Sequence, residues 1–246
     1  MPEGPSIVIL KEAVQEFKGR TICVVSGNSK AFDLSVLINQ TILDFKSWGK
    51  HFLICFEKCT VRIHFMLFGS YRINEEKAAT PRLSLKFEDG QLNFYTCSVQ
   101  LLEQPLDEVY DWSADVMNPN FDAGKAIAKL KSRPELLVCD ALLDQNIFAG
   151  VGNIIKNEVL FRIHLHPLNQ IKNLPDNVLK DLTNEAVNYS FDFLKWKKEF
   201  TLKKHWLAHK KTVCPRDGFP LIKEYLGKTN RRTFYCSVCQ LLYSLS

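Results

Sequence analysis

The stretch DQNIFAGVGNIIKNEVLF, residues 144–161, decides the fold. Two segments of helical periodicity meet there at Gly150-Val151-Gly152. Glycines permit positive φ and close backbone approach, and Asn153 is a suitable cap for the second helix. Backbone N–H groups opened at such a helix start can hold a phosphate. A glycine turn is also a common plain connection between helices, so its neighbours must supply the meaning.

Those neighbours are helical in pattern. AGKAIAKLKS (123–132), RPELLVCDALLDQ (133–145), VGNIIKNEVLF (151–161) and DNVLKDLTNEAVNYSFDFLKWKK (176–198) repeat their apolar residues at helical spacing, with Pro134 and Pro175 near helix starts. Upstream the texture changes to short β-like runs: TICVVSG (21–27), QTILDF (40–45), HFLICF (51–56), TVRIHFMLFGSYRI (60–73), RLSLKF (82–87) and LNFYTCSVQLL (92–102). Asp89-Gly90 is the clearest hairpin turn among them. Six short strands imply a sandwich or barrel. Ahead of them, residues 3–18 fit one amphipathic helix through Ile7, Leu10, Val14 and Phe17, stopped by Gly19. Residues 212–246 are turn-rich and end in RTFYCSVCQLLY (232–243). The pattern predicts an α+β protein: an N-terminal helix with a β domain, sandwich or barrel, over 1–110, a helical domain over 111–204, and a small cysteine-containing tail over 205–246.

Composition is that of a globular protein, 46% hydrophobic and 24% charged, which argues against disorder or a coiled coil. The net charge of +5 suits a polyanionic partner without establishing one. Its distribution says more. Lysines stand at 195, 197, 198, 203, 204, 210 and 211 against Glu199 alone, and Arg231-Arg232 follow. A solvated helix face with a basic loop is the plain reading of such a run. No apolar run approaches the ~18 residues of a membrane span, and no signal-peptide core opens the chain. We therefore expect an intracellular protein, monomeric, with no membrane partner. Cys23, Cys55, Cys59, Cys97 and Cys139 lie scattered among apolar residues and read as buried thiols, not as a disulfide framework.

Two places carry candidate chemistry. Cys236-Ser-Val-Cys239 is half of a zinc ribbon, and Cys214-Pro-Arg-Asp217 sits where the other half belongs. Asp217 occupies the second ligand position there, so a site of three cysteines and one aspartate is expected for a structural zinc, with His205 and His209 as substitutes upstream. The competing reading dispenses with metal and holds the hairpin through Phe219, Leu221, Tyr225, Phe234 and Tyr235. At the other end, MPEGP places Pro2 and Glu3 at a helix start, where both residue types are common.

MPEGP, the Gly49-Lys50 pair in a strand, IHFMLFG, DQNIFAGVGNIIKNEVLF and RRTFYCSVCQ occur in the order found in the formamidopyrimidine-DNA glycosylase / endonuclease VIII family. The chain resembles that family along essentially its whole length. The resemblance implies an N-terminal helix with a β-sandwich, a helix–two-turn–helix domain and a C-terminal zinc-finger-like β-hairpin. It also implies excision of oxidised bases from damaged double-stranded DNA, followed by strand cleavage. Pro2, freed by removal of Met1, would be the nucleophile, and Glu3 the proton shuttle. Met66, Leu67 and Phe68 match the family's void-filling loop, against the alternative of a buried strand. Lys50, Asn153 and Arg231 match its phosphate contacts, Arg232 being the neighbouring alternative to Arg231. Ser6 departs from the family's usual glutamate, and Asp217 from its cysteine. Gly4 after Glu3, the absence of an Arg-Phe pair at Val99-Gln100-Leu101, and the short stretch before the tail favour the endonuclease VIII-like branch, which removes oxidised pyrimidines. An 8-oxoguanine enzyme of the same family and a catalytically inactive DNA-binding protein are the alternatives.

Overall fold

The computed structural model describes residues 2–243 and divides into two units, Met1–Tyr110 and Asp111–Ser246. In the first unit the helix anticipated over 3–18 is shorter. Helix α1 covers Gly4–Ala13 and is followed by a 3₁₀ turn at Gln15–Phe17. Val14 leaves helical geometry at ψ 5°, and i→i+3 bonds then tighten the chain, Phe17 N–H to the Val14 carbonyl at 3.0 Å among them. Ile7, Leu10, Val14 and Phe17 are nonetheless all buried. Gly19 ends the segment at φ +81°.

The strands are β1 (Val24–Ser26), β2 (Asp44–Trp48), β3 (His51–Cys55), β4 (Thr60–Ile73), β5 (Leu83–Lys86) and β6 (Gln91–Leu102), in one antiparallel sheet of order β1-β5-β6-β4-β3-β2. QTILDF begins four residues too early, because Thr41 makes only a lone bridge to Thr21 and the ladder to β3 begins at Asp44. The sheet becomes a sandwich through its two long strands. Thr60–His64 of β4 pairs with β3 and Thr60–Phe65 with Cys97–Leu102 of β6, while Ser70–Ile73 pairs with Leu92–Tyr95, beside which β5 also pairs. Between these halves β4 bulges, and Thr96 takes φ +49°. The halves fold over one core, where Phe52 of β3 meets Phe94 of β6 at 5.9 Å between ring centroids. Asp89-Gly90 turns the chain from β5 to β6 with Gly90 at φ +104°, as its sequence requires. A short helix, α2 (Leu106–Val109), closes the unit.

In the second unit, α3 (Ala123–Lys131) starts at Asp122, whose carboxylate accepts the Lys125 N–H at 2.9 Å. RPELLVCDALLDQ is not one helix; only α4, Val138–Ala141, is α-helical. The backbone before it is engaged elsewhere, with Ile171 N–H bonded to the Leu136 carbonyl and Lys172 N–H to that of Pro134. Helices α5 (Asn153–Arg162) and α6 (Asp176–Lys198) pack together around a core that includes Leu142, Phe148, Val159, Leu182 and Tyr189. A two-stranded hairpin, β7 (Ile222–Leu226) and β8 (Arg231–Tyr235), lies against α5.

Candidate catalytic terminus and nucleic-acid contacts

In the first unit, Glu3 is the N-cap of α1 in extended geometry, and its carbonyl accepts the Ser6 N–H at 2.8 Å. The residue is 3% exposed, a rare environment for a carboxylate. Pro2 before it is half-buried, and Met1 lies outside the described residues.

Lys50 does not stand in a strand, as the sequence suggested. Trp48 pairs with His51, so Gly49 and Lys50 form the two-residue turn of the β2–β3 hairpin, with Gly49 at φ +54°. Behind this turn sits a cluster that sequence reading did not identify. His51 and His64 face each other across β3 and β4, with ring centroids 5.1 Å apart. Trp48 and Tyr110 complete it, the Tyr110 hydroxyl lying 3.2 Å from His51 Nδ1. Burial pushes His51 down to about 3, assisted by His64, Arg62 and Lys50. His64 is lowered as well, by burial first and then by Lys50 and Arg62. Both imidazoles are therefore neutral at pH 7, while Lys50 and Arg62 supply the positive charge. The available signal was Arg62 and His64 at alternate positions of the otherwise apolar run 61–68.

Met66, Leu67, Phe68 and Gly69 stand opposite Thr96 alone, because the register passes from Phe65–Cys97 directly to Ser70–Tyr95. Four residues against one force the segment out of the sheet. Met66, Leu67 and Phe68 are 52%, 58% and 81% exposed, so the buried-strand alternative is excluded. Gly69 is required where the loop rejoins, since a Cβ there would lie 2.7 Å from Phe65 Cβ and 2.9 Å from the Thr96 carbonyl oxygen.

In the second unit the glycine turn adopts φ +101° at Gly150, whose N–H bonds to Gln145 Oε1 at 3.1 Å. Gly152, not Asn153, is the N-cap of α5. Asn153 begins the helix, and its side chain turns to the hairpin, where Nδ2 donates to the Arg232 carbonyl at 2.9 Å. Further along α5, Lys156 Nζ reaches Thr233 Oγ1 at 2.7 Å and Asn157 Oδ1 accepts the Phe234 N–H at 3.2 Å. The same helix holds the following segment: Glu158, fully buried, accepts the N–H groups of Leu207, Ala208 and His209 at 2.7–3.0 Å. Polar residues in a helix that reads as apolar thus face a partner distant in sequence.

The hairpin separates its two arginines. Arg232 donates to the Tyr225 hydroxyl at 2.7 Å and stacks over that ring. Arg231 is exposed, and among the described residues no ion pair or side-chain hydrogen bond engages its guanidinium. The lysine run behaves similarly. Lys195, Lys197, Lys203, Lys204, Lys210 and Lys211 are exposed and enter no ion pair among the described residues. Phe200, within the run, is 96% exposed at φ +58°.

Cys214, Asp217, Cys236 and Cys239 bring one ligand atom each within 4.8 Å of one another. The Cys214 and Cys239 sulfurs are 3.7 Å apart, close to the ~3.8 Å edge of a tetrahedron with ~2.3 Å Zn–S bonds. Cys236 Sγ donates to Asp217 Oδ2 at 3.1 Å, so the aspartate points into the cluster. The Phe219 N–H and this thiol hold the Asp217 carboxyl below its usual range. These four residues fit a metal ion. His205 and His209 are not part of the cluster: His205 stacks on Trp196 at 4.1 Å, and His209 packs between Trp206 and Phe234. The metal-free alternative loses two of its five apolar residues, since Phe219 and Tyr225 are exposed.

With this geometry established, comparison with known proteins is specific. Residues 1–98 match the formamidopyrimidine-DNA glycosylase N-terminal domain, and residues 113–192 match the formamidopyrimidine-DNA glycosylase H2TH domain. Endonuclease 8-like 2 of Bos taurus is 35% identical over 197 residues, which cover 73% of this chain and 58% of that protein. Endonuclease 8-like 3 of Xenopus laevis is 31% identical over 231 residues, 85% of this chain and 36% of that protein. The chain thus spans 58% or less of the length of these relatives. Among solved structures, a viral DNA glycosylase superposes with TM-score 0.84 at 24% identity, over 97% of this chain and 100% of that one. The Lactococcus lactis formamidopyrimidine-DNA glycosylase, noncovalently bound to DNA with an AP site, superposes with TM-score 0.86 at 22% identity, over 97% and 99%. At these identities the structural likeness is one of fold.

Proposed function

The chain belongs to the formamidopyrimidine-DNA glycosylase family, on its endonuclease 8-like side, and from that membership we propose that it is a bifunctional DNA glycosylase and abasic-site lyase. In this reading it acts as a monomer inside the cell on damaged double-stranded DNA, removes oxidised pyrimidines and cleaves the strand by β,δ-elimination. The observation that carries the proposal is the exposed Met66-Leu67-Phe68 bulge in the same unit as a half-buried Pro2 followed by a buried Glu3. An enzyme that works on C1′ of a nucleotide must take it from the stack, and apolar wedges fill the resulting gap.

With Met1 removed, Pro2 presents a secondary amine at the chain terminus. α-Amines titrate near 7.7–8, far below lysine, so part of the population is unprotonated at neutral pH. The amine lone pair attacks C1′, the bond from C1′ to the base breaks, and the base leaves with that electron pair and a proton. Opening of the sugar gives an iminium between Pro2 and C1′. The iminium acidifies the 2′ proton; its loss expels the 3′ phosphate, and a second elimination expels the 5′ phosphate. Water then hydrolyses the iminium and frees the amine. Glu3 moves protons in these steps. In the first unit Lys50, on the turn beside the His51–His64 pair, contacts a phosphate. In the second unit Asn153 and Arg231 contact the DNA backbone, with 111–204 acting as the helix–two-turn–helix module and 205–246 as the finger. Cys214, Asp217, Cys236 and Cys239 hold one structural zinc, which when bound ties the two ends of the hairpin segment together.

Preference for pyrimidine lesions is supported by two features. Val99-Gln100-Leu101 lies in β6, paired with Ile63, Arg62 and Val61, and projects no wedge. The segment after α6 is pinned by Glu158 and forms only a 3₁₀ turn at Leu202–His205, leaving no long capping loop there. The test is product analysis on duplexes carrying thymine glycol or 8-oxoguanine. Faster cleavage of the first, leaving a gap with phosphate at both ends, is expected. Binding without cleavage of either would make the protein a passive DNA binder, and faster cleavage of the second would move it to the guanine branch.

A further inference from the structure

Arg231 sits between two anchors on the hairpin. On its C-terminal side, Asn153, Lys156 and Asn157 of α5 hold Arg232, Thr233 and Phe234. On its N-terminal side the anchor is Asp140 of α4, which the mechanism above does not use. Asp140 is 6% exposed, and its carboxylate accepts three hydrogen bonds from the turn between β7 and β8. Lys228 N–H donates to Oδ2 at 2.8 Å, Thr229 N–H to Oδ1 at 3.0 Å, and the Thr229 hydroxyl to Oδ1 at 2.7 Å. Gly227 fits this arrangement for two reasons. It adopts φ +72°, and a Cβ there would lie 2.4 Å from Asp140 Oδ1. A carboxylate accepting consecutive backbone N–H groups makes a strong, directional anchor, and this one grips two residues of the turn immediately before Arg231.

We propose that Asp140 is a positioning residue for DNA binding: it locks the 227–230 turn so that the Arg231 guanidinium is presented to a phosphate from a fixed backbone. This rests on the reading of Arg231 as a phosphate contact. A long side chain on a mobile turn would lose more conformational freedom on binding than one on a fixed turn. The lock therefore raises the contribution of one residue without touching DNA itself.

The test uses the full chain with Asp140→Asn, which keeps the shape but replaces one acceptor oxygen by a donor group. Thr229→Val is the milder second variant, removing only the hydroxyl donor. Amide hydrogen exchange of Lys228 and Thr229 reads the lock in the free protein. Affinity for a duplex carrying one tetrahydrofuran residue reads its consequence. Asp140→Asn should accelerate exchange at both amides and leave α5 protected. It should weaken binding up to tenfold and reduce the salt slope by up to about 0.9, the value for one phosphate contact. Combined with Arg231→Ala it should weaken binding no further than Arg231→Ala alone, because both act through one contact. Thr229→Val should shift exchange and affinity in the same directions by less. Unchanged exchange at the turn in Asp140→Asn, or a full additional loss of affinity on top of Arg231→Ala, overturns the assignment. Arg231→Ala binding as tightly as the parent protein would instead overturn the phosphate role of Arg231, and the DNA-binding role of Asp140 with it.

Discussion

At Leu67 and Phe68, 58% and 81% exposed, a large apolar side chain gains nothing from the fold. Truncating either to alanine should alter stability by only about 0.5 kcal/mol. The same change should slow excision from a fully paired duplex much more than cleavage at a pre-formed abasic site, where no base holds the nucleotide in the stack. Equal slowing of both reactions would remove the wedge role. His51 makes a prediction of opposite kind, on stability. Its folded-state value of about 3 lies below the ordinary 6.5, so between those values the unfolded chain binds a proton that the folded chain refuses. The contribution is fully present above pH 6.5 and is lost as pH falls toward 3. His209, lowered by burial to about 4, acts in the same direction in the second unit. The melting temperature should therefore drop as pH falls from 7 to 4, and His51→Gln should flatten part of that slope. An unchanged slope would show that His51 protonates freely in the folded protein.

Elements were legible where local chemistry decides them. Asp89-Gly90 encodes its hairpin through the positive φ of Gly90, and Gly150 its turn in the same way. They were misread where distant partners decide. Gly49-Lys50 lies between two strand-like runs and reads as strand, but the Trp48–His51 pairing makes it a turn. The 133–145 segment has helical spacing, yet the carbonyls of Leu136 and Pro134 accept the N–H groups of Ile171 and Lys172 respectively. IHFMLFG left two readings open, because apolar residues suit both a buried strand and a wedge. The choice follows from the register to β6, a partner about 30 residues away that no local pattern specifies. At the hairpin, the four candidate ligands predict the effect of metal removal. Chelation, or Cys236→Ser, should loosen the hairpin and lower the melting transition of the second unit, leaving the first unit's exchange pattern unchanged. Tight chelators without effect on either would support a hairpin held by Leu221, Phe234 and their apolar neighbours alone.

For the molecule as a whole, the α+β class was legible because β-like periodicity gives way to helical periodicity near residue 105. The chemistry was legible only in part. Residue types and order pointed to Pro2, Glu3 and Asn153, whose roles are proposals, and to the cysteine–aspartate cluster, whose four ligand atoms the structure brings together. The supporting carboxylates, Asp140 and Glu158, were silent in sequence because each binds backbone about 50 to 90 residues away. A buried acid in an apolar helix is visible only as an exception to its pattern. Covalent capture by the chain terminus is the proposal from which the other roles take their meaning, and borohydride reduction interrogates it directly. Incubated with abasic-site DNA and borohydride, the parent protein should yield a stable protein–DNA adduct, and Pro2→Ala should lose it by orders of magnitude while still binding the same DNA. An undiminished adduct from Pro2→Ala would contradict the account.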